Sequence, residues 1–121
     1  MMRRDRTLDP VEVALILQRV DAKTADRTDL KAITWHLLTL LAERSPGAAV
    51  EVRVPPFAVV QCIEGARHTR GTPPAVVEMD APTWIALARG RLAWADATLR
   101  ASGERSDLSD LLPVFDDPLD P

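Results

Sequence analysis

Histidine and cysteine are the first residues to consider for chemistry, and the chain has two histidines, His36 and His68, and one cysteine, Cys62. A zinc site usually takes three or four such ligands, and a lone cysteine cannot form an internal disulfide. Cys62 lies in an apolar run, where cysteine usually behaves as a small buried hydrophobe rather than a reactive thiolate. We therefore expect no metal site, no redox cofactor and no thiol catalysis.

The remaining polar groups do not form a catalytic pattern either. No serine or acid lies in a nucleophile elbow, a phosphate-binding glycine loop or a recognisable carboxylate pair. His36 lies opposite much of the apolar stripe of its helix, which predicts a position at the surface or helix edge. The acidic run at Asp116 and Asp117 is typical of a solvated tail. The sequence thus predicts a protein that is not an enzyme.

Length and charge restrict the class of protein. With 121 residues and a formal charge of −3, the chain suits one domain at 9–115, between a flexible N-terminus at 1–8 and an acidic tail at 116–121. A small arginine cluster near the N-terminus is too limited to follow a phosphate backbone, so nucleic-acid binding is excluded. No apolar run is long enough to span a bilayer, and no signal peptide is visible, so we expect a cytoplasmic protein.

Helical periodicity predicts two helices in the first part of the chain. Asp9 followed by Pro10 is typical of a helix start, and apolar residues recur with helical spacing up to Val20. A second helix, at about 28–44, carries a longer apolar stripe and is stopped by the Ser-Pro-Gly sequence at 45–47.

Beyond the second helix the apolar pattern changes to alternation. Residues 50–54 alternate apolar and polar side chains, 57–63 form a nearly continuous apolar run, and 75–79 form a third short apolar segment. These lengths and periods predict three strands of one sheet. Pro55 and Pro56 exclude a tight type I′ hairpin turn, which leaves a looser turn or a bent edge strand.

The segment that follows has a recognisable residue at nearly every boundary. Asp80 can cap a third helix whose first turn holds Pro82 and whose buried face includes Trp84. Gly90 is placed to end that helix in the left-handed conformation.

A short mixed strand is predicted at 99–104, where Gly103 indicates a bulge or a close backbone approach. Ser106 can then cap a closing helix. The apolar stripe of that helix comprises Leu108, Leu111, Leu112 and Phe115.

This order of elements resembles the C-terminal half of the sterol carrier protein family. The strings VEVRVPPFAVVQC at 50–62 and RHTRGTPP at 67–74 also resemble the bacterial orthologue group of that family. The resemblance covers roughly 48–112. The elements and the resemblance together predict an α+β fold with a four- to five-stranded, largely antiparallel sheet covered on one face by helices.

The resemblance implies a small non-catalytic lipid carrier, because such proteins hold fatty acids, acyl thioesters or sterol-like lipids in an apolar tunnel. We expect a ligand between sheet and helices, with Arg70 or His68 near its polar end, unless that loop only hydrogen-bonds within itself. The expected contacts are Val52, Val59, Val77, Trp84, Leu108 and Leu111.

The alternative is an accessory interaction module that serves a separate, thiol-cofactor-dependent enzyme. A related sterol-carrier-like domain accompanies the metal-binding domain of mycothiol-dependent maleylpyruvate isomerases. A continuous internal cavity favours the carrier, whereas a filled core with an apolar surface patch favours the module.

Overall fold

The computed structural model of the protein describes residues 6–65 and 75–120. Within these ranges the chain forms helices α1 (Pro10–Asp21), α2 (Arg27–Arg44) and α3 (Ala81–Ala88) and strands β1 (Val50–Val54), β2 (Ala58–Cys62), β3 (Ala75–Glu78) and β4 (Arg100–Ser102). Two 3₁₀ turns, Trp94–Asp96 and Ser109–Leu111, lie before and after β4.

The four strands form one sheet in the order β2-β1-β3-β4. β1 pairs antiparallel with β2 and parallel with β3, while β3 pairs antiparallel with β4. The short turn after β1 returns the chain alongside that strand, so this pair has to be antiparallel. The connection between β2 and β3 is longer, and it allows β3 to pair with the edge of β1 that β2 does not occupy. The predicted α+β fold is confirmed, with one parallel pairing in a mixed sheet.

Helix α3 begins and ends where local chemistry predicts. The Asp80 carboxylate accepts a hydrogen bond from the Thr83 N–H at 2.9 Å. Gly90 adopts φ +77°, and the N–H groups of Gly90 and Arg91 donate to carbonyls of the last turn at 3.0 and 2.9 Å. This is the Schellman arrangement, in which a left-handed residue satisfies the terminal carbonyls.

Helix α2 is the central element of the core. One side contacts β2, and the others contact α3 and α1. The predicted surface position of His36 is wrong, because α1 and the residues before it cover that side of α2 and leave the histidine 7% exposed. The buried part of the helix therefore extends beyond its apolar stripe to polar residues. The buried residues are Ile33, Thr34, His36, Leu37, Leu38, Thr39, Leu41 and Ala42.

The predicted closing helix is reduced to the 3₁₀ turn Ser109–Leu111. The Ser106 hydroxyl donates to the carbonyl of Gly103 at 2.9 Å instead of capping a helix. Pro113 gives the physical reason, because it lacks an N–H and disfavours the α conformation in the residue before it. Leu112 is accordingly extended, with φ −111° and ψ 142°.

Candidate functional site

Most of the predicted ligand contacts lie together in the interior. Val52 and Val77 are neighbours in the register of β1 and β3. Together with Trp84 and Leu108 they are fully buried, and Leu111 is half-buried against the same core. None of these five residues lines either cavity described below. The apolar surfaces of the four fully buried residues are covered by other atoms of the protein.

Val59 lies on the opposite face of the sheet. The turn at 55–57 pairs Val54 with Ala58 and Arg53 with Val59, and cross-strand partners share a face. Val59 is therefore on the outer face with Arg53 and is 47% exposed. It does not contact the interior, contrary to the prediction. The other two expected contacts, His68 and Arg70, lie outside the described residues.

An open cavity of about 430 Å³ lies at the end of the sheet that carries the β1–β2 turn. We call it the turn cavity. Its volume falls within the roughly 300–1,000 Å³ that is typical of small-molecule sites. Its lining is mainly apolar, with one basic and one acidic residue, and comprises Trp35, Arg53, Pro55, Pro56, Phe57, Ala58, Val59 and Glu78.

Arginines surround the two aromatic residues of the turn cavity. The Arg6 guanidinium lies 3.8 Å from the centre of the Trp35 ring, and that of Arg27 lies 5.3 Å from the Phe57 ring. Both distances are within the range of cation–π attraction. Arg53 is bound to Glu51 through its Nε at 2.7 Å. The turn cavity thus combines an apolar lining with two arginines beside its aromatic rings, while Arg53 and Glu78 add opposite charges to the lining.

A second cavity, of about 260 Å³, lies where the two ends of the described chain meet α2. We call it the terminal cavity. Its lining comprises Leu8, Pro10, Val13, His36, Phe115, Asp116 and Pro118. The Nδ1 of His36 accepts a hydrogen bond from the Leu8 N–H at 2.9 Å. Burial lowers the pKa of His36 and outweighs the opposing effect of Glu43.

A buried ionic network holds the C-terminal segment, which was predicted to be a solvated tail. The Asp117 side chain is fully buried and accepts a hydrogen bond from the Nε of Arg89 at 2.6 Å. The two terminal nitrogens of Arg89 donate to Asp21 at 2.7 and 3.0 Å, and Arg91 contacts both acids at 3.1 Å. Nothing in the local sequence indicated this role for Arg89, because its partners Asp21 and Asp117 lie far from it in the chain.

The single thiol is shielded from solvent. Cys62 is fully buried in β2, as predicted, and burial raises its pKa to about 11. In the part of the chain that the structure describes, no group of three or more His, Cys, Asp or Glu side chains could hold a metal ion. Among the helices of that same part, none combines the length and apolar content needed to cross a membrane.

Comparison with known proteins agrees with this architecture. The model of the family described as "Bacterial SCP ortholog", where SCP denotes sterol carrier protein, matches residues 26–114. Among proteins with curated descriptions, none matches the chain. The matched segment contains α2, the sheet and α3, and it leaves α1 and the last residues outside. Because the match spans well over half of the sequence, the chain belongs to the family of bacterial sterol carrier protein orthologues.

Proposed function

We propose that the protein is a non-catalytic binding protein for an elongated apolar ligand such as a fatty acid, an acyl thioester or a sterol-like lipid. We place the ligand in the turn cavity. Membership of the sterol carrier family supports the ligand class. The observation that carries the location is the cavity of about 430 Å³ in which Trp35, Phe57, two prolines and Val59 supply apolar surface.

The packing of the described core residues argues against the site expected from the sequence. Val52, Val77, Trp84 and Leu108 are already covered by protein atoms, so a ligand between them would have to separate packed layers. Even an added methylene in a packed core costs about 1–3 kcal/mol. The turn cavity needs no such separation. Of the expected contacts within the described residues, Val59 alone lines it.

The expected affinity follows from apolar burial. Each buried methylene contributes about 0.8 kcal/mol, which corresponds to a factor of up to about four in the dissociation constant. Affinity should therefore rise with chain length until the cavity is filled, and the remaining chain should add little. The basic residues around Trp35 and Phe57 favour an anionic group at the polar end of the ligand.

Calorimetric titration of lipid-free protein with saturated fatty acids of increasing length tests this proposal. Val59→Trp should obstruct the turn cavity and weaken binding at least tenfold. Since Val59 is exposed on the outer face, the substitution should change the free energy of unfolding by no more than about 0.5 kcal/mol.

Gln61→Trp is the matched control. Gln61 lies two residues further along β2, exposed on the same face, and does not line the turn cavity. It should leave the affinity unchanged. Absence of saturable binding in folded protein, or equal weakening by both tryptophan substitutions, would exclude the turn cavity as the site.

An accessory interaction module is the second candidate, and two observations favour it. Among the described residues the core side chains Val52, Val77, Trp84 and Leu108 are fully buried. Helix α1 exposes Val11 and Leu15, which are 68% and 47% exposed and lie on one face of the helix. Native mass spectrometry of protein purified from its own host separates the two functions. A co-purified lipid supports the carrier, whereas a stoichiometric protein complex that Val11→Ser and Leu15→Ser together dissolve supports the module.

A further inference from the structure

The terminal cavity is built largely from segments that the family match does not include. Leu8, Pro10 and Val13 come from the start of the described chain, and Phe115, Asp116 and Pro118 come from its end. His36 of α2 is the one lining residue within the matched range 26–114. The terminal extensions of this chain thus create a concave surface next to a buried imidazole.

The hydrogen bond to His36 determines which ring nitrogen can donate to a ligand. Its Nδ1 accepts the N–H of Leu8, and a neutral imidazole carries its hydrogen on the nitrogen that does not accept. Nε2 is therefore a hydrogen-bond donor. The side chain is more than nine-tenths buried, so a bond from this donor forms in a weakly polar setting, where it is stronger than in water.

The charged residue in the lining of the terminal cavity is acidic. Asp116 lines it, Asp9 lies between two lining residues in the chain, and Glu43 acts electrostatically on His36. Carboxylates disfavour an anionic ligand at close range. The other lining residues, Leu8, Pro10, Val13, Phe115 and Pro118, are apolar.

We propose that the terminal cavity is a second ligand site, separate from the turn cavity, for a small uncharged molecule with an apolar body and a carbonyl oxygen. The carbonyl accepts a hydrogen bond from Nε2 of His36, and the apolar body contacts Leu8, Val13 and Phe115. The volume of about 260 Å³ equals the liquid volume of about nine water molecules. One aromatic ring with an amide substituent fits within that volume.

Benzamide is the probe, and nuclear magnetic resonance of the full-length protein is the measurement. Benzamide should cause saturable shifts of the backbone amides of Leu8, Val13 and Phe115 and of the His36 ring nitrogens. His36→Asn should weaken binding at least tenfold. The asparagine oxygen can replace Nδ1 as acceptor for the Leu8 N–H, whereas the asparagine NH2 group lies one bond nearer to the backbone than Nε2 and does not reach the same point. Absence of saturable shifts, or unchanged affinity in folded His36→Asn protein, would overturn the proposal.

A second comparison does not depend on the folding of the His36 variant. Benzoate has nearly the same shape as benzamide but carries a negative charge, so the wild-type protein should bind it at least tenfold more weakly. Asp116→Asn, at an exposed position, should reduce this preference severalfold. Equal binding of both probes by the wild type, or a preference that the substitution leaves unchanged, would contradict the assigned ligand class. Val59→Trp should leave benzamide binding intact, which separates this site from the turn cavity.

Discussion

At the scale of single residues, His36 makes the free energy of unfolding depend on pH in the acidic range. Burial lowers its pKa from the ordinary value of 6.5, so the folded protein holds the ring neutral at pH values where the unfolded chain already binds a proton. The contribution of His36 to stability is therefore complete above about pH 6.5 and is lost as pH falls from there towards the folded pKa. We expect the free energy of unfolding to decrease over that interval.

His36→Asn supplies the control for this prediction, because it removes the titrating ring and keeps an acceptor for Leu8. The variant and the wild type both retain His68, Asp116 and Glu43, so the difference between their urea-unfolding curves at successive pH values isolates His36. The gap in stability between the two proteins should change between neutral pH and about pH 5 in the direction that favours the variant. Parallel pH profiles would show that His36 is not held neutral by burial.

At the scale of elements, the edge strand β4 depends on a close backbone approach. Gly103 follows β4 with φ +89°, and a Cβ atom there would lie 2.8 Å from the Cα of Ala75. Gly103→Ala should therefore reduce the free energy of unfolding by about 2 kcal/mol, from left-handed strain and from displacement of the start of β3. Urea denaturation measures this effect.

Ser102→Ala is the neighbouring control. Ser102 is exposed at the end of β4, so its substitution should change stability by no more than about 0.5 kcal/mol. If the two alanine variants were equally stable, the approach between Gly103 and Ala75 would not constrain the strand.

At the scale of the whole molecule, Arg89 joins three distant segments. It binds Asp21 at the end of α1 and Asp117 near the C-terminus, and it lies at the end of α3. Arg89→Met should reduce stability by about 3 kcal/mol, because it leaves the buried Asp117 carboxylate with weaker compensation from Arg91. Arg91→Met, which removes a partly exposed group, should cost less than about 1 kcal/mol.

The pH dependence of the stability difference between wild type and Arg89→Met tests whether the lost ion pair causes it. Burial alone would raise the pKa of Asp117, but the hydrogen bonds from Arg89 and from the Leu119 N–H outweigh burial and lower it. The stabilisation is thus present above the ordinary value of 3.8 and is lost as pH falls through the folded pKa. The stability gap between wild type and Arg89→Met should narrow in acid. A gap that stayed constant would indicate lost packing rather than a lost ion pair.

Features that depend on neighbouring residues could be predicted before the fold was known. The Asp80 carboxylate caps a helical N–H three positions further along, and Gly90 ends the same helix directly after its last turn. Both effects act within one turn of chain. The alternation at 50–54 likewise predicts a strand from its own pattern. The family was also recognisable from local strings and from the order of elements, since both are carried by sequence.

Features that depend on distant partners became visible only in the folded arrangement. The face of Val59 followed from the number of residues in the β1–β2 turn, and the turn cavity combines that turn with Trp35 of α2. His36 and Asp117 were predicted to be exposed, but α1 covers the first and Arg89 binds the second. Local patterns determine whether a segment can form a helix or strand, whereas burial of a polar side chain depends on which remote segments reach it and satisfy its hydrogen bonds and charge.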